Sequence, residues 1–255
     1  MDETVIQVRG LRTQFGTHVV HDDLDLDVRR GEILGVVGGS GTGKSVLLRA
    51  IVGLQRPAAG AITMLGTEML SASEAERDDI SGRIGVMFQD GALFSSLTVR
   101  ENVEVPLGAI EGLTPDLREG LARLKVSMAG LPWNAGDKFP ADLSGGMRKR
   151  AGLARALARD PEIVFLDEPT AGLDPIGASA FDTLIRGLSK SLGLTVFLVT
   201  HDLDTLYAVC DRVAVLAEKR VLVTGPLERM LDIDHPWVQA YFGGPRARAA
   251  RNDPD

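Results

Sequence analysis

Two kinds of apolar pattern alternate along the chain. In LDLDV, residues 24–28, Leu24, Leu26 and Val28 alternate with Asp25 and Asp27. A period of two predicts a strand with one face on a core and one in water, the habit of antiparallel sheet. VIQVRGL (5–11), AITMLG (61–66) and RIGVMFQ (83–89) extend this pattern of short strands. A second group is continuous rather than alternating: EIVFLDE (162–168), TVFLVTH (195–201) and RVAVLAE (212–218) are apolar runs that end in polar residues. Strands buried on both faces of a parallel sheet read this way. EILGVVG (32–38) is another such run, and the amphipathic KSVLLRAIVGL (44–54) after it predicts a helix. Helical segments between the buried strands predict an α/β core with its site at the strand C-terminal ends.

Residues 90–157 break the alternation. VRENVEVPL (99–107), PDLREGLARLKVSMAGL (115–131) and the stretch from Ser144 onward read as helices with glycine and proline breaks. The expected organisation is a core over 1–89 and 158–235, a helical insertion over 90–157, and a C-terminal extension over 236–255. The end of that extension, GGPRARAARNDPD, has almost no large apolar residue, so it is expected to bury no core and to be flexible in part.

Composition narrows the class. The chain has 255 residues, 44% hydrophobic, with a net charge of −7. A dedicated nucleic-acid binder is usually basic, so this balance argues against one. The single cysteine, Cys210, excludes an internal disulfide and suits a reducing compartment. The N-terminus lacks an apolar signal region, and no apolar run approaches the ~20 residues of a membrane-spanning helix. The expectation is a soluble protein that reaches a membrane only through a partner.

The chemistry starts at GGSGTGKS: Gly38, Gly39, Ser40, Gly41, Thr42, Gly43, Lys44 and Ser45. It fits G-x-x-x-x-G-K-[ST] between a strand and a helix, the setting a phosphate-binding loop requires. Glycines let the backbone curl so that several N–H groups converge, and the helix N-terminus adds a positive dipole end. Lys44 would reach the β- and γ-phosphates and the Ser45 hydroxyl would hold Mg²⁺. Two acids, Asp167 and Glu168, end the apolar run IVFL. Alone that is a strand leaving a core. After a phosphate loop it places Asp167 on Mg²⁺, directly or through water, and Glu168 on the attacking water. LSGGM (143–147) offers a second anion-ready helix start with Ser144 as N-cap; an ordinary capped helix is the plainer alternative.

Taken in order, GGSGTGKS, Gln89 in MFQD, LSGGM, IVFLDE, AGLDP (171–175) and His201 in VTHD resemble the ATP-binding subunit of an ATP-binding-cassette (ABC) transporter over residues 5–235. The resemblance implies a P-loop NTPase cassette: a RecA-like parallel core, an antiparallel β part and a helical insertion carrying the LSGG segment. It implies that Phe15 stacks on adenine, although a core or turn phenylalanine would also suit its position. Gln89 would reach Mg²⁺ or the attacking water, Glu168 would be the catalytic carboxylate, and His201 would meet the γ-phosphate. Two copies would sandwich two ATP molecules, with Ser144, Gly145, Gly146 and Asp174 acting across the pair. The family usually has glutamine after LSGG. Met147 stands here and cannot offer the same hydrogen bonds.

GGSGTGKSVLLRAIVGL, MFQDGALFSSLTVRENVEVPL and LSGGMRKRAGLARAL also resemble the ATPase of Mla-type lipid transport systems. That implies a separate permease, an MCE-domain lipid-binding protein, phospholipid cargo, and a place on the cytoplasmic face of a bacterial inner membrane. Another solute transporter, or a division-type signalling ATPase without cargo, shares every catalytic motif and stays open.

Overall fold

A computed structural model of the chain describes residues 3–89 and 91–250. They form two compact units, one of residues up to 80 together with those from 195 onward, the other of residues 81–194.

In the first unit, β1 (Thr4–Phe15) and β2 (His18–Arg29) pair antiparallel, with Ile6 opposite Val28 and Val8 opposite Leu26. Leu24, Leu26 and Val28 are buried and Asp25 is exposed, as period-two alternation requires. Both strands run beyond the patterned residues. Register shifts between Val8 and Thr13 break the alternation there without ending the pairing. β4 (Ala59–Met64) and the short β5 (Thr67–Glu68) complete the sheet in the order β2-β1-β4-β5.

The continuous apolar runs form the other sheet of this unit. β3 (Ile33–Gly38) is buried at every position and lies parallel to β8 (Thr195–Val199) on one side and β9 (Arg212–Ala217) on the other. Its start is fixed by polar contacts: Asp211 accepts from the Ile33 N–H at 2.8 Å, Thr195 Oγ1 accepts from the Gly31 N–H at 2.9 Å, and the half-sequestered Arg212 pairs with Glu32 at 3.1 Å. β10 (Arg220–Gly225) adds antiparallel to β9 through a tight turn at Glu218 and Lys219, both left-handed. The sequence pattern gave no sign of β10, because its residues are only half-buried and the turn holds no glycine.

The C-terminal extension departs from expectation. Residues 236–250 form α8 (Pro236–Gly243) and α9 (Pro245–Ala250). Val238 and Phe242 pack with Val37, Leu206, Val213 and Val215, and Ala247 is fully buried. An alanine-rich turn needs only a methyl group to pack, which composition alone does not reveal. Residues 251–255 of that expectation lie outside the described residues.

In the second unit, β6 (Ile84–Met87) pairs with β7 (Ile163–Asp167) in parallel. The expected grouping of residues 83–89 with the antiparallel strands is therefore corrected. β6 alternates because its two faces are unequally covered. On one face the backbone of α5 (Gly145–Ala156) comes so close that a Cβ on Gly85 would meet the Ala156 carbonyl oxygen at 2.1 Å. The expected helices are present as α3 (Val99–Leu107), α4 (Pro115–Met128) and α5, followed by α6 (Pro175–Leu192). Thr98, Thr114, Ser144 and Asp174 cap them, Thr98 through a full capping box with Glu101.

His21 lies buried in β2, its Nδ1 2.8 Å from Thr13 Oγ1 and its Nε2 without a hydrogen-bond partner. Burial lowers its pKa from 6.5 to about 4, against the opposing pull of the Thr42 and Gly43 backbone. Between those two values the unfolded chain binds the proton and the folded one does not. Stability is therefore constant above pH 6.5, falls on acidification and levels off below about 4. The loss is about 3 kcal/mol, at ~1.4 kcal/mol per pH unit. Denaturant titrations of wild type and His21→Gln from pH 7 to 4 check this. The wild type should lose that much more than the variant, whereas parallel curves would mean the ring is not held neutral.

Candidate functional site

The turn from β3 to α1 (Lys44–Ile51) is built around positions that need glycine. A Cβ on Gly38 would lie 2.5 Å from the Leu216 carbonyl oxygen and 2.7 Å from Thr42 Oγ1. Gly41 and Gly43 are left-handed, with φ of 79° and 95°. A Cβ on Gly43 would also strike Val20 and the His21 ring, at 2.4 and 2.5 Å. Inside this turn Thr42 Oγ1 donates to the Gly39 carbonyl at 2.9 Å, and Lys44 Nζ donates to the Gly38 and Gly39 carbonyls at 2.9 and 3.1 Å. Gly38, Gly39, Thr42 and Lys44 are thus one hydrogen-bonded unit. Ser40 and Gly41 are exposed at its tip, and Ser45 occupies the second position of α1. The helix start has no side-chain cap and no acid in its first turn. A helix that begins this way presents backbone N–H groups and a positive dipole end to an incoming anion.

Phe15 ends β1 and is 55% exposed, so it is not a core residue. His201 follows β8 and is exposed, and its carbonyl accepts the Tyr241 hydroxyl at 2.9 Å.

In the second unit β7 is buried throughout and ends at Asp167, itself 5% exposed. The next residue, Glu168, is left-handed with φ 49°. A non-glycine residue held there is strained, and such strain needs surrounding support. Lys149, on α5 and 6% exposed, gives some: its Nζ donates to the Glu168 carbonyl at 3.0 Å and also to the Gln89 carbonyl. One buried ammonium thus fastens the backbone of two candidate residues 79 positions apart. Sequence reading missed Lys149. The signal was its place on a stripe with Gly152, Leu153 and Ala156, the buried face of α5.

Ser144 caps α5, its Oγ accepting from the Met147 N–H at 3.2 Å. Position 147 is the third residue of the helix, where a glutamine could return a hydrogen bond to the cap backbone and methionine cannot. Gly145 and Gly146 are unlike Gly85, which has no room for a Cβ. A Cβ on Gly145 would meet nothing within 4 Å, and one on Gly146 only Leu173 at 3.8 Å. These glycines, with Ser144, Met147, Gly172, Leu173 and Asp174, line an open groove of about 400 Å³. Asp174 caps α6 within its own chain, accepting from the Gly177 N–H at 2.9 Å.

Residues 21–171 match the family described as ABC transporter. The chain belongs to the ABC transporter family. As a member it is an ABC ATPase, the ATP-hydrolysing subunit of a transporter. The cassette is 39% identical over 243 residues to a probable ribonucleotide transport ATP-binding protein, mkl, of Mycobacterium leprae, covering 94% of this chain and 69% of that one. It is 40% identical over 223 residues to the methionine import ATP-binding protein MetN of Rhizobium johnstonii, covering 88% of this chain but only 61% of the relative. The dimeric ATP-binding cassette MJ0796, solved in a post-hydrolysis state with ADP and Pi, superimposes with a TM-score of 0.80 at 28% identity, over 87% of this chain and 98% of that one.

Removing the Lys149 ammonium leaves both carbonyls without that donor, a loss of about 1–3 kcal/mol. Lys149→Met should lower ATP turnover about ten-fold or more while leaving KM for ATP little changed. Steady-state kinetics check this; equal kcat values would mean that the two backbones hold their places without Lys149.

Proposed function

We propose that two copies of this cassette bind ATP between them and drive phospholipid transport through a membrane permease and an MCE-domain lipid-binding protein. The observation that carries the ATPase chemistry is the phosphate loop, with its fixed glycines and uncapped helix start. Lys44 holds the β- and γ-phosphates, with Gly38, Gly39, Ser40, Gly41, Thr42 and Gly43 around them. Phe15 offers its exposed ring to adenine. By their motif positions Ser45, Gln89 and Asp167 would each offer an oxygen to Mg²⁺. A hydroxyl, an amide and a carboxylate suit a hard cation that takes few protein ligands and completes its shell with phosphate and water. Among the described residues no group of three or more His, Cys, Asp or Glu could hold a metal alone. When bound, Mg²⁺ neutralises phosphate charge. Glu168 orients and deprotonates the attacking water, and His201 meets the γ-phosphate.

The pairing rests on Gly145 and Gly146. Glycine is a poorer helix former than alanine, and among the described residues nothing demands it at these two positions. An approaching nucleotide on a second copy would demand it, which supports the reading that Ser144, Gly145, Gly146 and Asp174 act in trans. The similar cassette MJ0796 was solved as a dimer bound to ADP and Pi, which supports a pairing of two copies.

A permease is supported by a groove of about 300 Å³ in the helical unit, lined by Ile84, Val86, Phe94, Val105, Pro106 and Arg155. Phe94 and Val105 are half-exposed there, an apolar surface of the kind that receives a partner helix. No helix among the described residues is long and apolar enough to cross a membrane; the proposed place on the cytoplasmic face of the membrane comes from the permease the cassette would serve. Phospholipid cargo is supported by the resemblance of LSGGMRKRAGLARAL and the phosphate-loop stretch to Mla-type ATPases. The methionine-import relative favours a second reading, another solute carried by the same ATPase chemistry.

Lys44→Ala should abolish tight ATP binding, while Glu168→Gln should bind ATP and stall as a closed dimer. Tagged Glu168→Gln, recovered from solubilised membranes with ATP and Mg²⁺, should bring down a permease, an MCE-domain protein and phospholipid, identified by mass spectrometry. A permease with a soluble binding protein instead would replace the lipid cargo by another solute. Wild-type turnover by Glu168→Gln would require a different base.

A further inference from the structure

Helix α8 touches the first unit's site at two points. The Trp237 indole lies beside the phosphate loop: a Cβ on Gly39 would stand 3.4 Å from Nε1 and 4.0 Å from Cδ1, ordinary contact distances that leave room for a methyl group between the ring and the main chain. One turn later Tyr241 stacks on Trp237, with centroids 4.7 Å apart and planes at 14°, and packs edge-on against Phe242 at 4.9 Å. The Tyr241 hydroxyl donates to the His201 carbonyl at 2.9 Å. The opposite face of the helix is anchored, with Val238 and Phe242 buried in the cluster that includes Val37 of β3. Gln239 fastens the helix start through the Leu231 and Ile233 carbonyls, at 2.6 and 2.9 Å.

We propose that α8 is a brace that positions the phosphate loop through Trp237 and His201 through Tyr241, so that loop occupancy is felt at the histidine. The proposal rests on the reading of residues 38–45 and His201 as nucleotide-facing. A glycine-rich loop has many accessible backbone states, and its order must come from what packs on it. Trp237 and Tyr241 have two side-chain torsions each, hold a stacked geometry and lie four residues apart on one helix. They therefore transmit displacement rather than absorb it. Both are positioning residues.

The chain has two tryptophans, Trp133 and Trp237. Trp133 is 79% exposed and lies outside the site, so Trp133→Phe leaves Trp237 as the one indole reporter in the full-length protein. Three measurements on that background test the brace: ATP binding by equilibrium dialysis, Trp237 emission over the same titration, and steady-state ATPase kinetics. Emission should change along the dialysis curve. Trp237→Ala should weaken ATP binding about five-fold, with Trp237→Phe restoring most of it. Tyr241→Phe should lower kcat about five-fold with KM unchanged, a split that a general loss of packing would not give. Bound ATP with unchanged emission overturns the brace, as does wild-type kcat in Tyr241→Phe, and neither depends on whether Trp237→Ala folds. If the intact protein binds no ATP by dialysis, the phosphate-loop reading falls first and the brace falls with it.

Discussion

The structure turns on the end of β3. That strand is buried along its whole length and held between two parallel neighbours, so its last residue must pass beside the backbone of β9. At Gly38 there is no room for even a methyl group. Close approach fixes where the chain leaves the sheet, and left-handed Gly41 and Gly43 then fold it back within a few residues to start a helix. The anion-seeking geometry follows from those backbone constraints. Side chains come second: Thr42 and Lys44 hold the turn's own carbonyls, and on the proposed reading Lys44 would leave them to meet phosphate.

The helical unit reaches a comparable result by other means. There the special backbone position is Glu168, a residue with a full side chain in a left-handed conformation. Glycine would relieve that strain but would carry no carboxylate. The fold keeps the acid and steadies the backbone with a charged donor, Lys149, on its carbonyl. A hydrogen bond from an ammonium is stronger than one from a neutral group, which suits a position that must resist relaxation.

What could be read from the sequence divides along the same line. The phosphate loop, the acid pair after β7 and the capped start of α5 are local: each needs a few residues in one order, and each stood in the sequence as a string. Period and continuity separated the half-exposed β2 from the buried β3, β7, β8 and β9 for the same reason. The misses are non-local. Lys149 donates to the Gln89 carbonyl, 60 residues away, and Trp237 lies beside Gly39, almost 200 away. Neither relation leaves a mark near either partner beyond an ill-fitting lysine on a buried stripe. β6 was grouped wrongly because parallel or antiparallel pairing is a property of two strands, and one strand's alternation reports only how evenly its faces are covered. α9 was missed because alanine packs without being conspicuously hydrophobic.

The two unconstrained glycines at the start of α5 carry a further consequence. On the proposed pairing, each copy leaves a mould that only its partner's nucleotide fills. Alanine at either position would be tolerated by the lone chain, and helix preference makes it the more stable choice there. Selection for a robust single copy and selection for a working pair therefore pull on the same two atoms in opposite directions. A variant chosen for heat resistance in isolation would drift toward a cassette that folds better and can no longer close.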